Sequence, residues 1–175
     1  APVLGSRSAD TLSGVGPPPV RAGDVLPVGP AGATFPHVGQ AAHPSHAVPW
    51  GSGDTGVAEL EVLPGPRSAW VGGGGSSLGG LLGTTWHVHG DSDRIGLRLS
   101  GFRVERAAPY RDVELPSEGL VRGAVQIPAG GAPVLFLADH PATGGYPVVA
   151  VLTASAIDRA AQLRPGDLVR LRPSP

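Results

Sequence analysis

The residues with the most chemical potential lie in one stretch, Glu114-Leu115-Pro116-Ser117-Glu118-Gly119-Leu120-Val121-Arg122-Gly123-Ala124-Val125-Gln126-Ile127-Pro128. A carboxylate at Glu118, a hydroxyl at Ser117 and a carboxamide at Gln126 cluster around a strand that otherwise reads as buried. Burying such groups is costly unless they pair or face a cleft. Two readings are therefore open: Ser117 and Glu118 form a turn while Gln126 bonds nearby backbone, or the three line a site. The Thr143-Gly144-Gly145-Tyr146 loop can offer successive N–H groups as an anion nest, or be an ordinary glycine turn. Arg94 and Arg98 alternate with Ile95, Leu97 and Leu99, so they share one strand face about 13 Å apart. They could hold a carboxylate or phosphate bidentately, or line a solvated face with Glu105 or Asp112 as partners.

Other motifs carry less. Gly51-Ser52-Gly53-Asp54-Thr55-Gly56 matches the dinucleotide fingerprint, but it precedes a strand instead of following one. Gly75-Ser76-Ser77-Leu78-Gly79 has the spacing of a nucleophile elbow, yet it follows a run of glycines and reads as a flexible insert. His87 and His89 would share a strand face, and His37, His43 and His46 fall in a Pro/Gly loop. Neither set has a third ligand at fixed spacing, so no metal site is assigned.

Composition narrows the chemistry further. The chain has no cysteine and, among its 13 basic residues, no lysine. Thiol nucleophiles, zinc–thiolate sites, a P-loop lysine, a Schiff-base lysine and a biotin attachment point are all excluded from this stretch of chain. A formal net charge of -1 with no basic run argues against a nucleic-acid partner. No apolar stretch is long enough to span a bilayer and the first residues lack a charged leader, so the expectation is a cytoplasmic protein with no membrane partner. The absence of methionine, position 1 included, points to a processed or truncated chain.

The elements that must hold these residues are short. With 28 glycines and 20 prolines beside a hydrophobic fraction of 41%, the chain should fold into many short strands joined by tight turns. Gly23-Asp24 predicts a turn entering a strand, and residues 30–56 read as a linker or long loop. Val57 to Leu63 alternates and stops at Pro64-Gly65-Pro66, as a half-buried strand should. Leu78 to Gly83 suggests a short helical turn. Val121, Gly123, Val125 and Ile127 predict one strand face with Arg122, Ala124 and Gln126 opposite. Val134–Ala138 and Val148–Leu152 read as strands buried on both sides, with Asp139 to Pro147 a loop between them. Ser155 would cap one helix, Ala156 to Leu163, and Leu168 to Leu171 would be a last strand. The pattern predicts a mainly β fold: a closed or nearly closed barrel with one or two short helices.

Seven ordered blocks then resemble a known family: Leu4-Gly5-Ser6-Arg7-Ser8, Arg21-Ala22-Gly23-Asp24, Leu63-Pro64-Gly65-Pro66-Arg67, Ser92-Asp93-Arg94-Ile95-Gly96-Leu97-Arg98-Leu99, Ser117-Glu118-Gly119, Gly123-Ala124-Val125-Gln126-Ile127-Pro128 and Thr143-Gly144-Gly145-Tyr146-Pro147. They are similar to the allophanate hydrolase subunit 2, or KipA-like, proteins. That family includes the C component of the bacterial ATP-dependent 5-oxoprolinase and is related to the carboxyltransferase domain of urea carboxylase. The resemblance implies a cyclophilin-like β-barrel at 57–175, joined by the linker 30–56 to a remnant of an N-terminal β domain at 1–29, the whole being the second part of a longer protein. It implies a partnership with a sister subunit, allophanate hydrolase subunit 1 or KipI-like, and with a third 5-oxoprolinase subunit. Together these would open the lactam of 5-oxo-L-proline, with ATP and magnesium used at the level of the complex and this chain inactive alone.

By the same resemblance Glu118 and Gln126 would be catalytic. Arg98, Arg94, Ser117, Thr143, Gly144, Gly145 and Tyr146 would bind a small amide or lactam. The family's usual Gln-Thr-Thr-Gly-Gly-Tyr-Pro is here Pro141-Ala142-Thr143-Gly144-Gly145-Tyr146-Pro147, a departure that bears on substrate identity. Two alternatives follow from the same family: carboxyl transfer to urea, with biotin carried on another chain, and a KipA-like regulator that binds and antagonises a kinase inhibitor.

Overall fold

A computed structural model of the chain describes residues 14, 16–18, 20–29, 56–72, 78 and 80–175. The chain divides into two compact units, Ala1–Ala42 and His43–Pro175. In the first, the Asp24 carboxylate accepts the Arg21 N–H at 2.7 Å and the Asp24 N–H donates to the Arg21 carbonyl at 3.1 Å, closing the turn expected at Gly23-Asp24. Val25 to Val28 beyond it are exposed and belong to no strand, so the anticipated strand is missing there. Apart from Gly56, the linker, the Gly51–Gly56 motif and His37, His43 and His46 lie outside the described residues, as do Gly73 to Ser77 and Gly79.

In the second unit, seven strands close into a barrel. Among the described residues the strands, in chain order, are β1 (Val57–Pro64), β2 (Thr85–Val88), β3 (Gly96–Ser100), β4 (Glu118–Gly119), β5 (Ala124–Gln126), β6 (Val134–Phe136), β7 (Thr143–Gly144), β8 (Val148–Leu152) and β9 (Leu168–Pro173). Around the ring the order is β1-β8-β5-β6-β3-β2-β9, and β4 with β7 forms a separate two-stranded ribbon. Neighbours run antiparallel except at the closure, where β9 lies parallel to β1 from Val57↔Leu168 to Val62↔Pro173. The barrel reading of the sequence therefore holds.

Alternation explains the wall. Along β1, Leu60 and Val62 point inward while Glu59 and Leu63 stay exposed. Leu97 and Leu99 of β3, Trp86 and Val88 of β2, Val125, Leu135, Val149, Val169 and Leu171 complete one continuous inner core. The helix α1 (Ala154–Ala160) contributes Ala156, Ile157 and Ala160 to it. Its N-cap is Thr153, whose hydroxyl accepts the Ala156 N–H at 3.3 Å, so the helix starts earlier and ends earlier than the Ser155-capped helix expected. Leu78, Gly80 and Leu81 lie in turns and Leu82 bridges Leu171, with no helix at these residues.

The expected face at Val121 to Ile127 is interrupted. Gly123 takes φ +87° and Val121 is 56% exposed. Gly123 N–H donates to the Phe136 carbonyl at 2.9 Å and its carbonyl accepts the Leu152 N–H at 2.8 Å, and regular strand begins at Ala124. Val125 does point inward and Gln126 outward, as alternation requires. A bulge then falls opposite the Val125/Gln126 step, where Val125 pairs Ala150 but Gln126 pairs Val148. Outside the wall a second apolar cluster forms from Leu120, Ala124, Phe136 and Val148. Leu120, the residue after β4, belongs to this outer cluster and so joins the ribbon to the wall.

Candidate functional site

Gln126 is the buried polar residue of the described barrel, 4% exposed. It belongs to a register row, Arg98↔Val134 and Gln126↔Val134, that runs across β3, β6 and β5 on the outer wall. Its amide Nε2 donates to the Tyr146 carbonyl at 2.9 Å. That bond ties the glycine loop to the barrel.

The ribbon supplies the second half of this seam. Glu118 pairs directly with Gly144, and Gly119 with Thr143, extended by Leu120 N–H donating to the Ala142 carbonyl at 2.9 Å. The segment expected to be a plain loop thus carries a short strand. Residues opposite one another on a ribbon share a face, as do residues two apart. A Cβ on Gly144 would lie 2.8 Å from Gln126 Nε2 and 3.0 Å from Leu120 Cδ1. Glu118, Leu120 and the bare Gly144 therefore all face the barrel, and the absent side chain leaves the space the carboxamide fills.

Glu118 does not stand free in that seam. Arg67 Nε donates to its Oε2 at 3.3 Å and Arg67 Nη2 meets its Oε1, the two-pronged geometry of a guanidinium on a carboxylate. The hydrogen bond and then the charge of Arg67 hold the Glu118 carboxyl below its ordinary pKa, against an opposing effect of burial. Both side chains keep about one-third of their surface exposed, 35% and 32%, so solvent screens the pair in part.

Arg67 is delivered by the bulge. Gly65 N–H donates to the Val149 carbonyl and Arg67 N–H to the Val148 carbonyl, each at 2.9 Å. A Cβ on Gly65 would fall 2.6 Å from Val148 O and 2.8 Å from Ala150 N; only glycine lets the backbone lie this close. After it, the 3-10 turn Ser68–Trp70 buries Trp70, which stacks on Tyr110 with centroids 4.8 Å apart and planes at 7°. The guanidiniums of Arg67 and Arg106 stand 5.7 and 5.6 Å from the Trp70 ring centroid, within cation–π reach. Ala107 N–H donates to the Trp70 carbonyl at 2.8 Å, joining this turn to the segment that walls the neighbouring cleft.

That cleft, of about 880 Å³, is lined by residues 103–106, 111–115, 128–129, Gly131, Gly145 and Tyr146. Arg103 Nε is engaged by the Gly130 carbonyl at 2.8 Å and Arg106 Nη1 by the Val113 carbonyl at 2.7 Å. Arg111 makes no ion pair or side-chain hydrogen bond among the described residues. The amides of Gly145 and Tyr146 find no acceptor among them either. A guanidinium and two N–H groups at one opening can hold a carboxylate and a developing oxyanion.

The structure brings together Glu118, Gln126 and Gly144 at the seam, and Gly145 and Tyr146 at the cleft. Ser117 precedes the ribbon, Thr143 lies within it opposite Gly119, and both are exposed. Arg94 and Arg98 are not joined to this group. Arg94 precedes β3 and pairs with Asp139 at 3.2 Å, not with Glu105 or Asp112. Ile95 is 46% exposed, so the regular alternation predicted there starts at Gly96. Arg98 lies two strand spacings from Gln126 along the row, about 10 Å, and does not line the cleft. Arg67, Trp70, Arg106, Tyr110 and Arg111 carry no sequence motif of their own, although Arg67 closes a block marked by the family resemblance. His87 and His89 are exposed, and the described residues contain no group of three His, Asp or Glu that could hold a metal ion.

Two curated proteins are similar to this chain, and each is named as the C component of 5-oxoprolinase. That of Escherichia coli is 31% identical over 165 residues, 93% of this chain and 48% of its own length. That of Haemophilus influenzae is 34% identical over 85 residues, 49% of this chain and 26% of its own. The chain therefore spans about half or less of the curated relatives it matches. Among solved structures, TTHA0988 superposes with TM-score 0.60 at 28% identity, over 98% of this chain and 31% of that one. The urea amidolyase of K. lactis gives TM-score 0.60 over 69% of this chain and 8% of its own at 24% identity, a likeness of fold alone. The family sequence model for the carboxyltransferase domain, subdomain A and B, matches residues 1–173, and the chain belongs to that family.

Proposed function

We propose that this chain forms part of the C component of a 5-oxoprolinase, working with a sister subunit of related fold and a third subunit to open the lactam of 5-oxo-L-proline at the expense of ATP. The observation that carries this is the pair of curated relatives of that name, matching at 31% and 34% identity. The cleft supports it chemically. Arg111 would bind the substrate carboxylate, and the Gly145 and Tyr146 amides would receive charge developing on the lactam oxygen as the ring carbon becomes tetrahedral. Glu118 and Gln126 would be required because they fix the loop that bears those amides.

ATP and magnesium would be used at the level of the complex; among the described residues no group of three His, Asp or Glu could hold a metal ion. In a biotin-dependent reading, the biotin would be carried on another chain. The test is lactam turnover by the full-length protein reconstituted with its two partner subunits. Glu118→Ala and Gln126→Ala should each lower it, and unchanged turnover in both would remove the site. The family description favours one second reading, carboxyl transfer; co-purification of a biotinylated partner, with no lactam turnover, would select it. Tight binding to the sister subunit with neither activity would select the regulatory reading.

A further inference from the structure

We infer that Arg67 and Glu118 form a clamp that positions Gly145 and Tyr146 at the cleft, so that Glu118 is a positioning residue and Arg67 its necessary partner. The inference deepens the reading of the site given above and rests on it for its link to turnover.

Three features carry it. Glu118 leaves the ribbon toward the barrel, on the face shared with Gly144 and Leu120, and it does not line the cleft. Both carboxylate oxygens are engaged by Arg67, whose own backbone is fixed by the Val148 carbonyl at the bulge. A carboxylate held on both oxygens by a guanidinium is an anchor and a poor proton carrier. The ribbon that Glu118 anchors runs straight from Gly144 into Gly145 and Tyr146, and the Gln126 amide holds the same loop from the barrel side at the Tyr146 carbonyl. Arg67 also touches the Trp70 ring that Arg106, a cleft residue, approaches from its own segment. One arginine thereby ties the anchor of the loop to a second segment that lines the cleft.

The experiment pairs two readouts on the full-length protein. Amide hydrogen exchange at Leu120 and Ile127, whose N–H groups donate to the Ala142 and Pro147 carbonyls on either side of the glycine loop, is compared among the parent, Arg67→Met, Glu118→Gln and the charge swap Arg67→Glu with Glu118→Arg. The single variants should exchange roughly three- to tenfold faster at those amides while the barrel strands keep their protection, and the swap should restore the parent rate in large part. In the reconstituted complex, the single variants should lower turnover with the pH profile of kcat unshifted, and the swap should recover it. Unchanged exchange at Leu120 and Ile127 in both single variants would overturn the clamp. So would a swap that restores protection but no turnover, since Glu118 would then act on the reacting atoms. A parent complex without lactam turnover would defeat the functional reading and leave the exchange result to judge the clamp alone. Should Arg67→Met fail to fold, Glu118→Gln, close to isosteric, carries the comparison.

Discussion

Gly144 stands directly opposite Glu118 on the ribbon, and the side chain it lacks is the space occupied by the carboxamide of Gln126. Gly144→Ala should therefore act through Gln126. The new methyl, placed 2.8 Å from Nε2, would push the amide off the Tyr146 carbonyl and cost about 1–3 kcal/mol. Urea unfolding reads the stability, and exchange at the Ile127 amide, which donates to the Pro147 carbonyl at 3.2 Å, reads the loosened loop.

Gly65 and Gly119 provide a matched contrast. A Cβ at Gly65 meets the backbone of Val148, Val149 and Ala150 within 2.8 Å, whereas one at Gly119 meets nothing within 4 Å. Gly65→Ala should destabilise by about 1–3 kcal/mol or more, and Gly119→Ala by less than about 0.5 kcal/mol. Thermal melts of the two variants side by side test this. Equal melting temperatures would mean that the loop after β1 does not rest on the bulge.

Glu118 gives a defined pH signature. Its carboxyl is held below the ordinary value of 4.5 by the hydrogen bond and charge of Arg67, so the folded state binds this proton less readily than the unfolded chain does. Its stabilisation is fully present above 4.5 and disappears as pH falls through the lowered folded value. The melting-temperature gap between the parent and Glu118→Gln should be constant from about pH 6 to 8 and close in the acid range below about pH 4. A gap that persisted unchanged at low pH would contradict the ion pair.

Arg111 and Arg94 separate two positions for the substrate carboxylate. Arg111 lines the cleft, while Arg94 is 66% exposed and already paired with Asp139. Removing a charge-assisted bond costs about 1.5–3 kcal/mol, so Arg111→Ala should raise KM for the lactam by roughly tenfold or more. Arg94→Ala should move it less than about twofold. The reverse order would return carboxylate binding to the β3 end of the barrel.

Much of the barrel is legible in the sequence because its signals are local. Val57 to Val62 alternates, and Val148 to Leu152 is apolar throughout because its strand has the inner core on one side and Leu120 with Phe136 on the other. Gln126 and Gly144 stand out as unusual residues, but their contact does not. It depends on a bulge in β8 and on a two-residue ribbon too short to leave a period in the sequence. Ser155 and Thr153 both suit a cap by residue type, and Thr153 takes the position because β8 ends one residue before it. Arg67 is hidden for a different reason. Its partner lies 51 positions away, and no spacing rule reaches that far.

The parallel seam between β1 and β9 also shapes the order of assembly. β9 alone joins β1 to β2, and its first residue pairs with one roughly 110 positions earlier. Until that last strand emerges from the ribosome, β1 and β2 each keep an open hydrogen-bonding edge. The ring can shut only in a late step that closes a long loop, which is slow for entropic reasons. Nascent chains paused short of Leu168 should therefore be the aggregation-prone species, held open at the two edges that β9 will fill.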